Sequence, residues 1–171
     1  MRFALAFVAL LAACERDRSP TQPTTPPGSA DLANSAPAHA DSRPTVTFGS
    51  GATAATVHVE VVDTEPKIER GLMYRENLPL DDGMLFLLPV EQDWKFWMHN
   101  TLIPLDIVFV KRDLTVAGVS ANAEPKTDSL RTVGIPSVYV VEVNAGWCAS
   151  HHVTAGTPVR FTGVDPRAVS R

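Results

Sequence analysis

Apolar and polar residues alternate along several short segments of this chain, as they do in half-buried β-strands. In residues 53–62, every second position from Val57 to Val61 is a valine, and polar residues lie between. Residues 84–89 form a continuous apolar run after a turn at Asp81, Asp82 and Gly83, which indicates a strand buried on both faces. The pattern predicts strands over residues 53–62, 84–89, 94–98, 105–111, 114–120, 137–143 and 158–162.

Two segments have the end signals of short helices. Asp63 or Thr64 can cap a helix that accepts Pro66 in its first turn and ends at Gly71. Residues 145–152 predict a second helix capped by Asn144. A tight turn at residues 112–113 joins the predicted strands over residues 105–111 and 114–120, so these two strands should pair antiparallel. We therefore expect a mainly β (α+β) fold, a single compact antiparallel β sandwich or barrel-like domain with two short helices.

One carboxylate interrupts the apolar pattern of residues 105–111. On strand alternation Asp106 shares a face with Val108 and Val110. A carboxylate among apolar neighbours is costly unless it is paired or hydrogen-bonded. We expect Arg70 or Arg75 to pair with Asp106, with His99 nearby. Such a group either acts as a structural ion pair that orients the turn at Ile103 and Pro104 or tunes a proton-transfer group.

The N-terminus has the composition of an export signal. Residues 1–13 combine Arg2 with a short apolar core and small residues before Cys14. The sequence Leu-Ala-Ala-Cys resembles the bacterial lipobox, which implies lipidation of Cys14 and cleavage before it. Glu15, rather than Asp, follows the cysteine and favours the outer membrane. We expect an exported lipoprotein, anchored to the membrane through lipid on Cys14 and located on the periplasmic face.

Composition divides the rest of the chain. Residues 14–52 are rich in Pro, Ser, Thr and Ala, which predicts a disordered tether after the lipidated cysteine. The globular domain is expected over residues 53–165, with a disordered tail over residues 166–171. Of the two cysteines, Cys148 is then left without a partner, and burial is its expected state.

Net charge and sequence motifs limit the kinds of molecule that this protein is expected to bind. The formal net charge is -4, and Lys and Arg form no run, so no nucleic-acid partner is expected. His151 and His152 are adjacent on the predicted second helix and cannot chelate one ion from a shared face. No metal or other cofactor is expected, and no sequence motif defines an enzymatic reaction.

Four blocks of sequence together resemble the domain-of-unknown-function 192 family of bacterial and archaeal proteins. They are residues 70–75 (RGLMYR), 82–86 (DGMLF), 96–106 (FWMHNTLIPLD) and 141–147 (VEVNAGW). The resemblance implies a compact, largely β domain and supplies no reaction or ligand. His99 stands where the family commonly has Lys, and Thr157 and Pro158 stand where it commonly has Gly and Asp.

Three functions fit these residues. The first is a ligand-binding or accessory domain in the cell envelope, acting on a small polar ligand or an envelope protein. Its small polar cleft is expected to draw on Arg70, Arg75, His99, Asn100, Thr101, Asp106, Glu124 and Asp128. The second is a hydrolase of envelope saccharide, with Asp106 and Glu124 as acid and base and tryptophans stacking on sugar rings. The third is a protein-interaction module in envelope assembly, which would expose an apolar patch.

Replacing the predicted lipid attachment site tests the anchor. We expect Cys14→Ala to move the protein from the membrane fraction to the soluble periplasm, because two or more acyl chains are needed for stable anchoring. Cell fractionation measures the change. An N-terminal peptide of the wild-type protein that carries no lipid by mass spectrometry contradicts the prediction.

Overall fold

The computed structural model describes residues 43–166. The predicted signal peptide, Cys14, most of the predicted tether and the tail beyond residue 166 lie outside this range. Among residues 43–166, no helix is long and apolar enough to cross a membrane.

Seven strands form one sheet, accompanied by two short α-helices and a 3-10 turn at Gly51–Thr53. In chain order the elements are β1 (Thr45–Phe48), β2 (Ala55–Val62), α1 (Glu65–Arg70), β3 (Asp82–Gln92), β4 (Leu105–Val110), β5 (Val116–Ala123), β6 (Ser137–Asn144), α2 (Trp147–Ser150) and β7 (Val159–Thr162). The strand order across the sheet is β5-β4-β6-β3-β2-β1-β7.

Neighbouring strands are antiparallel except for β2 and β3. That parallel pair requires a crossover, which residues 63–81 supply together with α1. The two ends of the strand order approach each other, since the Val116 N–H donates to the Thr157 carbonyl at 2.9 Å. The sheet therefore curls into a half-barrel, and the predicted mainly β, barrel-like fold with two short helices is confirmed.

The two faces of the sheet carry separate apolar clusters, because strand side chains alternate between faces. An inner cluster receives residues from all seven strands and from α2, among them Phe48, Val57, Leu85, Val108, Val116, Val141, Trp147 and Val159. An outer cluster lies on the opposite face of the central strands, and its buried members include Leu72, Met84, Phe86, Met98, Ile107, Phe109 and Val140. We refer to these as the inner and outer clusters below.

The predicted strand over residues 94–98 is wrong. Phe96 makes only an isolated bridge with Arg131, and the segment is otherwise irregular. Its alternating apolar positions do not pair in the sheet. Instead they direct Phe96 and Met98 onto the outer cluster, where this stretch acts as a cover.

The predicted start of the domain at residue 53 is also wrong. Strand β1 pairs with both β2 and β7, and it buries Val46 and Phe48. Residues 45–48 therefore belong to the sheet and not to the tether. Val46 and Phe48 do alternate with polar residues, but two apolar residues among many Pro, Ser and Thr residues are too few to distinguish a strand from the tether.

The predicted cap of the second helix is wrong as well. Helix α2 begins after Gly146, which has a left-handed backbone (φ 83°). The Asn144 side chain instead donates to the carbonyls of Leu78 and Pro79, at 3.1 and 2.9 Å. It thus fixes the turn that leads into β3. The first helix starts after Thr64, one of its two predicted cap residues, although the Thr64 side chain makes no capping hydrogen bond, and it ends at Gly71 as predicted.

Asp106 is a buried carboxylate on the inner face of the sheet. None of its side chain is exposed, and each carboxylate oxygen accepts a backbone N–H at 2.9 Å, one from Asn122 and the other from Cys148. The expected pairing with Arg70, Arg75 or His99 is wrong. Burial, together with the Asp106 carboxylate, raises the pKa of the Cys148 thiol, so this buried cysteine stays protonated as a small apolar residue.

The Asp106 contacts predict a specific stability loss. We expect Asp106→Asn to lower the free energy of unfolding by about 1 to 3 kcal/mol, because an amide nitrogen then faces a backbone N–H that has no other acceptor. Urea denaturation measures the loss. The exposed Asp63→Asn serves as a control and should stay within about 0.5 kcal/mol of wild type. Equal midpoints for the two variants contradict the prediction.

Candidate functional site

Glu142 is a carboxyl group at the centre of the sheet. It lies on β6 between Met84 of β3 and Ile107 of β4, so its side chain projects into the outer cluster. Only 5% of the residue is exposed. Among residues 43–166, no side chain or backbone group forms a hydrogen bond or an ion pair with its carboxyl oxygens. Such a group is costly when ionised.

Burial decides the protonation state of this carboxyl. Removal from water raises the pKa of Glu142 from 4.5 to about 8. At neutral pH the group is therefore mostly a neutral carboxylic acid, with one O–H donor and remaining acceptor capacity. Strongly perturbed carboxyls in clefts are candidate functional groups.

A pocket opens directly onto Glu142. Its volume is about 160 Å³, close to that of an engineered apolar cavity of about 150 Å³ that holds benzene. Helix α1 with the residues after it forms one wall, residues 94–97 form another, and the outer face of the sheet forms the floor. The lining residues are Ile68, Glu69, Arg70, Gly71, Leu72, Met73, Phe86, Leu88, Trp94, Lys95, Phe96, Trp97, Thr101 and Glu142.

Local contacts fix the aromatic walls of this pocket. Phe96 packs edge-on against Phe86, with ring centroids 5.2 Å apart. The Trp94 indole N–H donates to the Val90 carbonyl at 2.9 Å. Gly71 has a positive φ of 45°, and a Cβ there would lie 3.3 Å from the Phe86 ring. The glycine thus ends α1 and lets the chain pass close to the pocket floor.

A second, more polar concavity adjoins the pocket. It shares Arg70 and Trp97 with the pocket and adds Tyr74, His99 and Asn100; its volume is about 410 Å³. We call it the shelf.

Two residues of the shelf have strained backbones that support each other. Tyr74 and Asn100 have positive φ values of 63° and 53°. The Asn100 side-chain amide donates to the Tyr74 hydroxyl at 2.8 Å, and the Tyr74 N–H donates to the Asn100 carbonyl at 2.9 Å. Left-handed backbone is unusual for tyrosine and costs free energy, and such conformations cluster at functional sites.

The predicted site residues divide between this region and other places. Arg70, His99 and Asn100 come together on the shelf, and Asp128 joins them through a 2.7 Å contact with His99 Nδ1. The buried Thr101 lines the Glu142 pocket.

The remaining candidates do not join them. Arg75 forms an ion pair with Glu60 and lines a different concavity. Asp106 lies on the inner face, and Glu124 is exposed on a loop. Asp106 cannot serve as a pocket acid or base, because both of its oxygens accept backbone amides in the core. Within the described part of the chain, no group of three His, Cys, Asp or Glu side chains gathers in a way that could hold a metal ion.

Sequence reasoning missed Glu142. A signal was available, since Glu142 is a carboxylate inside the apolar run of residues 137–143, as Asp106 is inside its own run. The sequence does not reveal that Asp106 finds two backbone donors while Glu142 finds none.

Comparison with known proteins identifies related chains. The model of the family DUF192, described as "Uncharacterized ACR", matches residues 46–161. A protein of unknown function from Novosphingobium aromaticivorans DSM 12444 is 34% identical, with 68% of this chain and 83% of that chain covered and a TM-score of 0.65. A Sinorhizobium meliloti 1021 protein, named as a candidate transcription regulator, is 31% identical, with 71% of this chain and 95% of that chain covered and a TM-score of 0.66. No curated protein matches the sequence.

The raised pKa of Glu142 predicts a pH-dependent stability. Between its unfolded value near 4.5 and its folded value of about 8, the folded state holds a proton that the unfolded state has released. The contribution of Glu142 to the free energy of unfolding therefore falls as pH rises through this interval, by at most about 1.4 kcal/mol per pH unit. Urea denaturation across the interval should show that the neutral variant Glu142→Gln lacks this decline.

The control for this prediction is Glu76→Gln, which removes an exposed carboxylate. Its unfolding free energy should follow that of the wild type at every pH. If the wild-type and Glu142→Gln curves are parallel over the interval, the Glu142 carboxyl is not neutral in the folded protein.

Proposed function

The chain belongs to the DUF192 family, and we propose that this member is a binding domain that takes a small ligand in the Glu142 pocket. The observation that carries the proposal is a nearly buried carboxyl, without a protein partner in the described structure, facing an open apolar pocket. Ligand sites commonly combine mostly apolar walls with a few polar groups that fix orientation.

The walls, floor and rim of the pocket contribute differently to binding. The aromatic and aliphatic walls bury the apolar part of a ligand, which supplies most of the affinity. Glu142 is the polar group at the floor and selects for a ligand atom that complements it. Arg70 and Lys95 at the exposed rim remain in water, so they contribute less to the binding free energy.

The shelf extends the site beyond the pocket. Tyr74 and Trp97 are 62% and 45% exposed beside it, which is unusual for large aromatic residues. A ligand larger than the pocket can place its remainder on this surface, with His99 and Asn100 as polar contacts. In this proposal, part of the predicted polar cleft forms the outer margin of a site whose walls are mostly apolar and whose floor carries Glu142.

Export and anchoring are part of the proposed function. The signal-like residues 1–13 and Cys14 support attachment to the periplasmic face of a membrane, with the outer membrane favoured by Glu15. The Pro-rich segment that follows acts as the tether. A regulatory role in transcription, which the name of the S. meliloti protein indicates for that protein, receives no support from a net charge of -4.

Filling the pocket tests the proposed function. Ile68 lines the pocket from α1, so Ile68→Trp places an indole in it. Small-molecule fragments that bind the full-length wild-type protein in ligand-observed NMR should bind this variant at least roughly tenfold more weakly.

The matched control is Ile135→Trp, which adds the same indole at a residue that is 41% exposed and outside the pocket. Fragment binding to this control should equal that of the wild type. A fragment screen without hits, or with hits that are insensitive to Ile68→Trp, overturns the proposed function.

A further inference from the structure

We propose that the Glu142 pocket recognises a small organic cation, such as the alkylammonium end of a ligand. This inference rests on the proposed binding function and names the chemical class that the pocket takes. The inference follows from the position of Glu142, the aromatic walls of the pocket and the exposed position of the positively charged side chains at its rim.

The first argument is the missing partner of Glu142. The elements that flank it in the sheet contribute Met84 and Ile107, which carry no charge. The charged groups of the pocket are Glu69 and Arg70 on α1 and Lys95 on the cover segment, and all three are exposed at the rim. A ligand cation in the pocket would lie next to a nearly buried carboxyl, where water screens the attraction least.

The second argument is the character of the walls. Phe86, Trp94, Phe96 and Trp97 all line the pocket. Aromatic faces attract ammonium groups through the ring quadrupole, and sites for alkylated ammonium ligands use several rings together. The volume of about 160 Å³ admits a head group of a few carbons.

The rim charges decide little between an anion and a cation. Arg70 and Lys95 outnumber Glu69 there by one positive charge, but all three side chains are exposed, so water screens them. An anion that entered the pocket would lie among the aromatic rings and next to Glu142. It would prevent ionisation of Glu142 and gain at most one hydrogen bond from the neutral acid.

Binding of a cation is linked to the release of a proton. Glu142 holds its carboxyl proton at neutral pH, because burial raises its pKa to about 8. When an ammonium group enters, the O–H bond of the acid breaks, the proton leaves to the buffer, and the carboxylate remains paired with the ligand. No oxidant or other reactant is involved, and affinity for the cation rises with pH.

A series of molecules that share a tert-butyl group and carry a positive, a zero or a negative charge tests the inference. The probes are tert-butylammonium, tert-butanol and trimethylacetate, added to the full-length protein and measured by calorimetry and ligand-observed NMR. An alkylammonium group stays charged below about pH 10. We expect tert-butylammonium to bind most tightly and to gain affinity by up to about 100-fold between about pH 6 and about pH 9, as Glu142 ionises.

Calorimetry in buffers of different ionisation enthalpy supplies a second readout. Near pH 7, binding of the ammonium probe should release close to one proton per site from wild type. Glu142→Gln should lose the proton release, the pH dependence and the preference for the cation. The exposed control Glu76→Gln should keep all three.

The outcomes separate this inference from the proposed function. If tert-butanol or trimethylacetate binds more tightly than the ammonium probe, or if the preference for the cation survives in Glu142→Gln, the inference is overturned. The binding function then stands, provided that fragments remain sensitive to Ile68→Trp. If no probe binds and no fragment is sensitive to Ile68→Trp, both fail.

Discussion

The rest of the domain depends on the two hydrogen bonds that Asp106 accepts inside the curled sheet. One comes from the Asn122 amide at the end of β5 and the other from the Cys148 amide in α2. A single side chain thereby joins β4, the neighbouring edge strand and the segment that follows β6. Because each oxygen is occupied, the charge is compensated without any arginine. The inner cluster can then close around it.

Glu142 lies across the same strand pair and has the opposite environment. Register places Asp106 opposite Val143, and Ile107 opposite Glu142, so the two carboxyls project from opposite faces. Asp106 is satisfied by backbone donors, whereas Glu142 faces a pocket and finds no donor among residues 43–166. The buried Asp106 carboxylate, whose two oxygens both accept hydrogen bonds, has a structural role. A buried carboxyl without a partner needs a different explanation, which the proposed ligand would supply.

The sequence predicts where these strands and helices lie, but it does not predict which groups bond to the buried carboxyls. Alternation correctly places Asp106 inside a strand, and the signals at Thr64 and Gly71 correctly bound α1. The predicted hydrogen-bond partners of Asp106 are wrong, because any residue except proline can supply a backbone amide, whereas an arginine is visible in the sequence. Residues 94–98 have strand-like spacing but cover the outer cluster, since one apolar face suits either role. The pocket arises from that cover, so no local pattern predicts it.

The walls of the pocket depend on loops that are tied down, and its floor depends on the sheet. The Met98 N–H donates to the Thr127 carbonyl at 3.0 Å, and Phe96 pairs with Arg131. At the other side, the hydrogen-bonded backbones of Tyr74 and Asn100 join the residues after α1 to the loop that follows residues 94–98. These contacts preorganise the walls without passing through the inner cluster. Substitutions in the walls can therefore alter the choice of the proposed ligand while the Asp106 core keeps the fold intact.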